Sequence, residues 1–313
     1  MIQIKELNIS DSKLSEKASI ELEKNGVVIV NNFLSDENCL NLKNLLDGPQ
    51  LKNSNELTFV HLDDARFFSN AVAESKTAYD LVTSENTLKI SKNYLGENIR
   101  LKCHRAYSTK KKYFFPWHTD NKFDEMKNNR KGVVFIIYLV DTYNGATEFV
   151  LGSHKETSKF TKNNFLDEFI NSNFKDRIVK AKGKKGCAVI SDTRVIHRGS
   201  IENSKEINRY SFWFQIDSNT NEAERLLLNP EFLPKNISTE LSEYLGFSKK
   251  FGLTVHPVTT NIDKVIPYDE RFKMLFKYFI LTLLIPFNWI RLKLPLKTKV
   301  MFKNLLKRKN DWN

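Results

Sequence analysis

Six histidines supply all the imidazole in this chain: His61, His104, His118, His154, His197 and His256. Two of them open a His-x-Asp tripeptide, His61-Leu62-Asp63 and His118-Thr119-Asp120. In extended or turn backbone, side chains two apart point to the same side, so His118 and Asp120 can meet at one ion. Two imidazoles and one carboxylate on one face form an iron(II) site that keeps positions open for substrate, cosubstrate and oxygen. The third ligand must then come from a strand across the fold, and His197, beside the apolar stretch Cys187 to Ile190, is placed for that. A His-x-Asp alone is weak support, because any single histidine is more often a hydrogen-bonded residue than a ligand.

The elements that would have to position these groups can be read from periodicity. Residues 12–24, with Leu14, Ala18 and Leu22 on one face, predict a helix that Asn25-Gly26 ends before the β-branched run Val27 to Val30. Ser35-Asp36-Glu37 caps a second helix carrying Leu40, Leu42, Leu45 and Leu46, and Ser84 to Leu95 predicts a third, closed by Gly96. From Asn98 the period shortens. Ile99–Tyr107, Gly132–Val140, Ala146–Leu151, Cys187–Ser191 and Ile207–Ile216 read as strands between turn residues. Val133 to Val140 lacks polar alternation and is expected as a central strand buried on both faces. Helices followed by spaced strands predict a mainly β fold with buttressing helices, a sandwich or barrel, and speak against a βαβ sheet. After Asp217 two short helices are expected, Asn221–Leu228 and Ser238–Leu245.

Four linked stretches, in order, carry a family resemblance. They are Phe115-Pro-Trp-His118-Thr-Asp120, then Asn144-Gly145 to Gly152-Ser153-His154, then Asp192-Thr-Arg-Val-Ile-His197-Arg-Gly-Ser200, and Arg209 twelve residues after His197. With the opening strand Asn25 to Ser35, residues about 20–217 resemble the phytanoyl-CoA dioxygenase family. The resemblance implies a double-stranded β-helix, the jelly-roll or cupin-like fold, and an iron(II)- and 2-oxoglutarate-dependent dioxygenase. Such an enzyme hydroxylates an unactivated C–H, here expected on a small-molecule, lipid or lipid-linked glycan substrate, with O2 as second cosubstrate and decarboxylation of 2-oxoglutarate to succinate. It also implies His118, Asp120 and His197 as catalytic iron ligands and Arg209 as partner of the distal 2-oxoglutarate carboxylate. Ser200 is a further candidate for that carboxylate. Asp120 bears on the outcome too, since related halogenases lack this carboxylate and seat chloride there.

The residue chemistry at Arg209 agrees. A guanidinium among Tyr210, Phe212, Trp213 and Phe214 needs an anion, and its fork can grip a carboxylate with two bonds. Gly152-Ser153-His154 is expected as scaffold, Trp117 as packing beside the metal, and His61-Leu62-Asp63 as a chance match. Lys102, His104, Arg105 and Tyr107 lie on the strand before the metal motif, where alternation leaves open which parity faces inward. The stretches Ser108–Phe115 and Asn121–Arg130 are polar enough to act as lids.

The formal charge of +12 on 313 residues suggests nucleic acid until it is located. Residues 271–313 hold 11 of the 49 Lys and Arg against Asp311 alone, which leaves a net of only +2 on the first 270. No specific nucleic-acid partner is therefore expected of the body; nucleic-acid-repair relatives carry a second arginine where this chain has Gln215. The domain reading is residues 1–217 as the dioxygenase jelly roll and 218–313 as a helical, basic extension. Its apolar stretch Tyr278 to Ile290 is too short for a span of about 20 residues, so residues 271–309 read as a segment for an anionic membrane surface. Packing on the body or a dimer contact are the rival readings. Three widely spaced cysteines, and charges that interrupt the first 20 residues, point to a cytoplasmic protein, peripheral on a membrane where the tail engages one. Neither substrate identity nor oligomeric state is legible, and the competing class is a non-catalytic jelly-roll binding protein.

Overall fold

The computed structural model describes residues 3–47, 59–62, 65–68, 70–110, 116–121, 131–159, 163–200, 208–218, 226 and 228–246. It also describes residues 275, 276, 279, 280, 282, 283 and 286. The chain divides into two compact units, residues 1–260 and 261–313, and the sheets belong to the first.

The larger sheet runs, in spatial order, β1 (Lys5–Asn8), β2 (Val27–Asn31), β11 (Ala188–Asp192), β7 (Gly132–Tyr138), β13 (Asn208–Ser218), β5 (Ile99–Lys110), β4 (Ala65–Phe68) and β3 (Phe59–Leu62). The smaller sheet runs β10 (Ile178–Lys180), β8 (Glu148–Val150), β12 (His197–Arg198), β6 (Trp117–His118) and β9 (Asn164–Phe165). Apart from the parallel β1–β2 pair, the ladders are antiparallel. The helices are α1 (Leu14–Asn25), α2 (Asp36–Asp47), α3 (Ala71–Glu74), α4 (Lys76–Val82), α5 (Glu85–Leu95), α6 (Asp167–Phe174) and α7 (Thr239–Leu245). This mostly-sheet architecture with covering helices fits the jelly roll that the resemblance implies.

The central strand β7 is apolar on both sides for a reason visible in the packing. On β7, Val133, Phe135 and Ile137 face the helix layer, while Val134, Ile136 and Tyr138 face the smaller sheet. All seven residues of β7 are buried between β11 and β13, as its unalternating composition predicts. The helix layer seals with Leu14, Ala18 and Leu22 of α1, four apart, and with Leu42, Leu45 and Leu46 of α2, whereas Leu40 is exposed. Ser35 and Ser84 cap α2 and α5 by accepting the backbone N–H of Asn38 and Thr87. A third apolar cluster, Trp117, Val150, Phe165, Ile170, Phe174 and Ile196, packs α6 on the outer face of the smaller sheet. Residues 228–246, assigned above to the extension, supply core side chains instead: Leu228, Tyr244 and Leu245 are buried among those of the helix layer, and the Tyr244 hydroxyl donates to the Val82 carbonyl. Of the expected helix Asn221–Leu228, only Leu226 and Leu228 lie within the described residues.

The parity of β5 is settled by its pairing with β13. Arg105 lies opposite Trp213, and Thr109 opposite Arg209, on the face turned toward the smaller sheet. His104 points the other way, into the helix-side core beside Phe212, and Lys102, at an irregularity in the ladder, pairs with the buried Asp217. Burial, with Arg105 next to it, pushes the His104 imidazole down to about 3, and its Nδ1 has no hydrogen-bond partner. A histidine depressed in the folded state leaves stability intact above the unfolded value near 6.5; stability then falls with pH as the unfolded chain takes up the proton first. We expect His104→Leu to gain on the wild type by about 2 kcal/mol between pH 7 and pH 5, read from urea unfolding at both values. A wild-type-minus-variant difference that does not change with pH would contradict this.

Candidate metal and anion site

Two segments far apart in sequence meet between the sheets, one carrying His118 and Asp120 and the other His197. Ligand atoms of His118, Asp120 and His197 all lie within 4.8 Å of one another. β6 and β12 are only two residues long, but they pair with His118 opposite His197, which brings the ring centroids to 4.3 Å. His197 Nε2 is 3.5 Å from Asp120 Oδ2, a buried oxygen with no hydrogen-bond partner.

Both imidazoles are oriented by their own backbone. His118 Nδ1 lies 2.7 Å from the Pro116 carbonyl, and His197 Nδ1 lies 3.0 Å from that of Val195. A carbonyl only accepts, so each Nδ1 carries the proton and each Nε2 keeps its lone pair for an ion. Burial and the neighbouring His197 push His118 down to about 4, with Asp120 acting in the opposite sense. The neutral form that ligates a metal is thus the resting form.

One turn, residues 192–196, aims two of the three groups. The Asp192 carboxylate is fully buried and accepts from the Arg194 backbone, from Arg194 Nε at 2.9 Å and Nη2 at 2.6 Å, and from the Tyr94 hydroxyl. With the turn closed in this way, the Thr193 carbonyl accepts the N–H groups of Asp120 and Asn121, and the Val195 carbonyl takes His197 Nδ1. Gly26 makes room for it. At φ +78 it ends α1 in the left-handed region, and a Cβ there would come within 2.3 Å of Val195 and 2.6 Å of His154. Ser153 Oγ accepts the Ile196 N–H, and His154 sits beneath, 3.2 Å from the Glu23 carbonyl. Gln215 bridges Asn121 and Asp217 from β13 and so braces the segment that follows Asp120.

Trp117 corrects an expectation. It follows strand alternation and faces away from His118, on the outer side of the smaller sheet, where Nε1 donates to Asp167 and Arg198 lies over its ring. The backbone of His61 and Leu62 forms part of β3 at the sheet edge; Asp63, and the side chains of His61 and Leu62, lie outside the described residues, as does most of both expected lids.

The triad opens into a cavity of about 230 Å³. On its wall Arg209 is 7% exposed, and Nη1 donates to the Gly145 carbonyl, but Nε has no partner. Across the ladder Thr109 Oγ1 is likewise buried without a partner, and so is Ser200 Oγ, one residue beyond the lining Gly199. Among the described residues Arg209 has no carboxylate partner. A buried guanidinium with orphaned donors around it is built for an anion that enters from solution. Thr109 is the wall residue that sequence reading missed, because only the β5–β13 register places it opposite Arg209.

Comparison with known proteins adds two findings. A family model described as phytanoyl-CoA dioxygenase (PhyH) matches residues 22–209, more than half of the chain. Among solved structures, the non-heme alpha ketoglutarate dependent epimerase SnoN from nogalamycin biosynthesis is similar at 17% identity and a TM-score of 0.52, over 67% of this chain and 83% of that one. EctD from S. alaskensis, in its apoform, is similar at 16% identity and a TM-score of 0.53, over 74% and 88%. At such identities these two likenesses speak for the fold alone. No curated relative matches the sequence.

Proposed function

The chain belongs to the phytanoyl-CoA dioxygenase family, and from that premise we propose that His118, Asp120 and His197 hold iron(II), that Arg209 receives the distal carboxylate of 2-oxoglutarate, and that the reaction is hydroxylation of an unactivated C–H. Enzymes of this family use iron(II), 2-oxoglutarate and O2, so the chain is an oxidoreductase rather than a bare binding module. The observation that carries the assignment is the convergence on one cavity of the triad and Arg209, whose Nε has no partner.

The residues fit the group. Two Nε2 atoms, each on a ring whose Nδ1 is tied to a backbone carbonyl, and an unpartnered carboxylate oxygen make the donor set of a facial iron site. When bound, iron(II) would activate O2 at the expense of 2-oxoglutarate and supply the oxidising power that no side chain has. What the chain does is positional. Arg209 Nε, with Thr109 and Ser200 beside it, would fix the distal carboxylate and so set the distance of the keto acid end from the triad. Phe67, Tyr107, Ile136 and Trp213 line the cavity with apolar surface, which keeps water from competing at the site. The test is anaerobic iron(II) titration with 2-oxoglutarate turnover, then a search for a product 16 mass units heavier than its substrate. A product of unchanged mass would redirect the reading from hydroxylation to isomerisation.

One further reading concerns place. Leu275, Phe276, Phe279, Ile280 and Leu283 lie in helical backbone, all exposed, at the i, i+1, i+4, i+5, i+8 spacing of one helix face. The net charge of +10 on residues 271–313 complements an anionic membrane, and each engaged cation contributes on the order of 1 kcal/mol there. Apart from these five and residues 282 and 286, residues 271–309 lie outside the described residues, and no described helix is long and apolar enough to cross a membrane. Cosedimentation with phosphatidylserine vesicles at low salt, lost at high salt and absent with neutral vesicles, is the expected result. Equal recovery with neutral vesicles would remove the electrostatic basis, and no binding at all would remove the membrane.

A further inference from the structure

The cavity holds a second guanidinium that the proposed chemistry does not use. Arg105 lines the same wall as the triad, two residues along β5 from Tyr107, with its guanidinium carbon 4.3 Å above the Trp213 ring. Stacking on indole holds the plane of the guanidinium and leaves its N–H edge free to donate. Among the described residues Arg105 has no hydrogen bond or ion pair, although it is close enough to lower both His104 and His118. Among the described residues the one acidic group that lines the cavity is Asp120, which belongs to the candidate metal triad.

Charge balance then decides what Arg105 is for. Counted over the described lining residues alone, Asp120 and the two arginines with iron(II) and the 2-oxoglutarate dianion sum to one positive charge in excess. Iron would take the keto acid end of 2-oxoglutarate and Arg209 the other, so neither end needs Arg105. We propose that Arg105 is a specificity residue that receives a carboxylate of the substrate, whose apolar body lies against Trp213, Ile136, Tyr107 and Phe67. This deepens the iron and 2-oxoglutarate reading and rests on it. A single carboxylate matches the excess charge, whereas a phosphate dianion overshoots it, and an uncharged substrate would leave a half-buried cation without a counterion.

The probes are benzoate and benzamide, which share size and apolar surface and differ in charge, with inorganic phosphate as the dianion. Binding is measured by calorimetry without oxygen on the protein loaded with iron(II) and 2-oxoglutarate. Wild type should prefer benzoate to benzamide by about tenfold, the worth of a charge-assisted bidentate contact, and Arg105→Gln should erase that preference. The KM for 2-oxoglutarate separates the two arginines: Arg209→Lys should raise it about tenfold or more, because an ammonium cannot reproduce the fork, and leave the benzoate preference in place. No preference in wild type, a preference that survives in Arg105→Gln, tighter binding of phosphate than of benzoate, or a 2-oxoglutarate KM raised as far in Arg105→Gln as in Arg209→Lys would each overturn the proposal. Failure to load iron(II) or 2-oxoglutarate in the first place would overturn the underlying reading, and it is seen before any probe is added.

Discussion

His118→Ala is expected to lose iron(II) binding and, with it, all 2-oxoglutarate turnover. Residues that merely orient a metal ligand typically contribute 10- to 100-fold to affinity, so removal of a ligand itself should exceed about 100-fold. The effect is large because the site is preorganised. The Pro116 carbonyl fixes the tautomer of His118, and the β6–β12 pair holds it against His197, so no other donor in the described cavity replaces it. The measurement is anaerobic iron(II) titration of wild type and variant, with succinate formation as the second readout. His104→Leu is the matched control, since His104 is a buried imidazole that faces the helix side, and it should bind iron normally. Iron affinity in His118→Ala within a few-fold of wild type would mean that the metal lies elsewhere.

Asp192→Ala should be the most destabilising single change at the site, by about 3–5 kcal/mol, because it strands the Arg194 guanidinium in the interior without its bidentate partner. It should also weaken iron binding, although Asp192 is not among the three ligands. The turn it closes carries the Thr193 carbonyl that anchors Asp120 and the Val195 carbonyl that orients His197. The decisive comparison is the double variant Asp192→Ala with Arg194→Met. If the cost lies in the unpaired charge, the double variant is more stable than Asp192→Ala alone in urea unfolding, since an apolar side chain needs no counterion. A double variant less stable than the single one would show that Arg194 stabilises the turn independently of Asp192. Asp192→Ala indistinguishable from wild type in stability and iron affinity would mean that the turn does not position the ligands.

The helices and long strands were legible because their signals are local. Four-residue spacing of Leu14, Ala18 and Leu22, the glycine after Asn25 and the unbroken apolar run of β7 each need only a window of a dozen residues. The two-residue strands β6 and β12 carry no periodicity at all, and they are the ones that hold the histidines. What exposed His118, Asp120 and His197 was residue type in ordered motifs, and the structure brings all three together. For His61-Leu62-Asp63 only the backbone of His61 and Leu62 is described, in the edge strand β3 of the larger sheet, whereas His118 and His197 lie on β6 and β12 of the smaller one.

By itself the sequence determined the order of the longer helices and strands, the candidate metal-ligating set His118, Asp120 and His197, the candidate carboxylate partner Arg209 and the separation of a near-neutral body from a basic tail. Each of these depends on residue identity and short-range spacing, which the chain carries whether folded or not. Only the tertiary structure decided which parity of β5 faces the cavity, and so that Arg105, Tyr107 and Thr109 line it while His104 is buried behind it. It alone turned Trp117 outward, brought Leu228, Tyr244 and Leu245 into the core and made Asp192 with Arg194 the clasp of the turn. The physical reason is that a strand presents both faces equally to inspection. The partner strand's register and the layers packed on each side decide which face meets the ligand, and those are set by contacts about a hundred residues apart, such as Arg105 with Trp213.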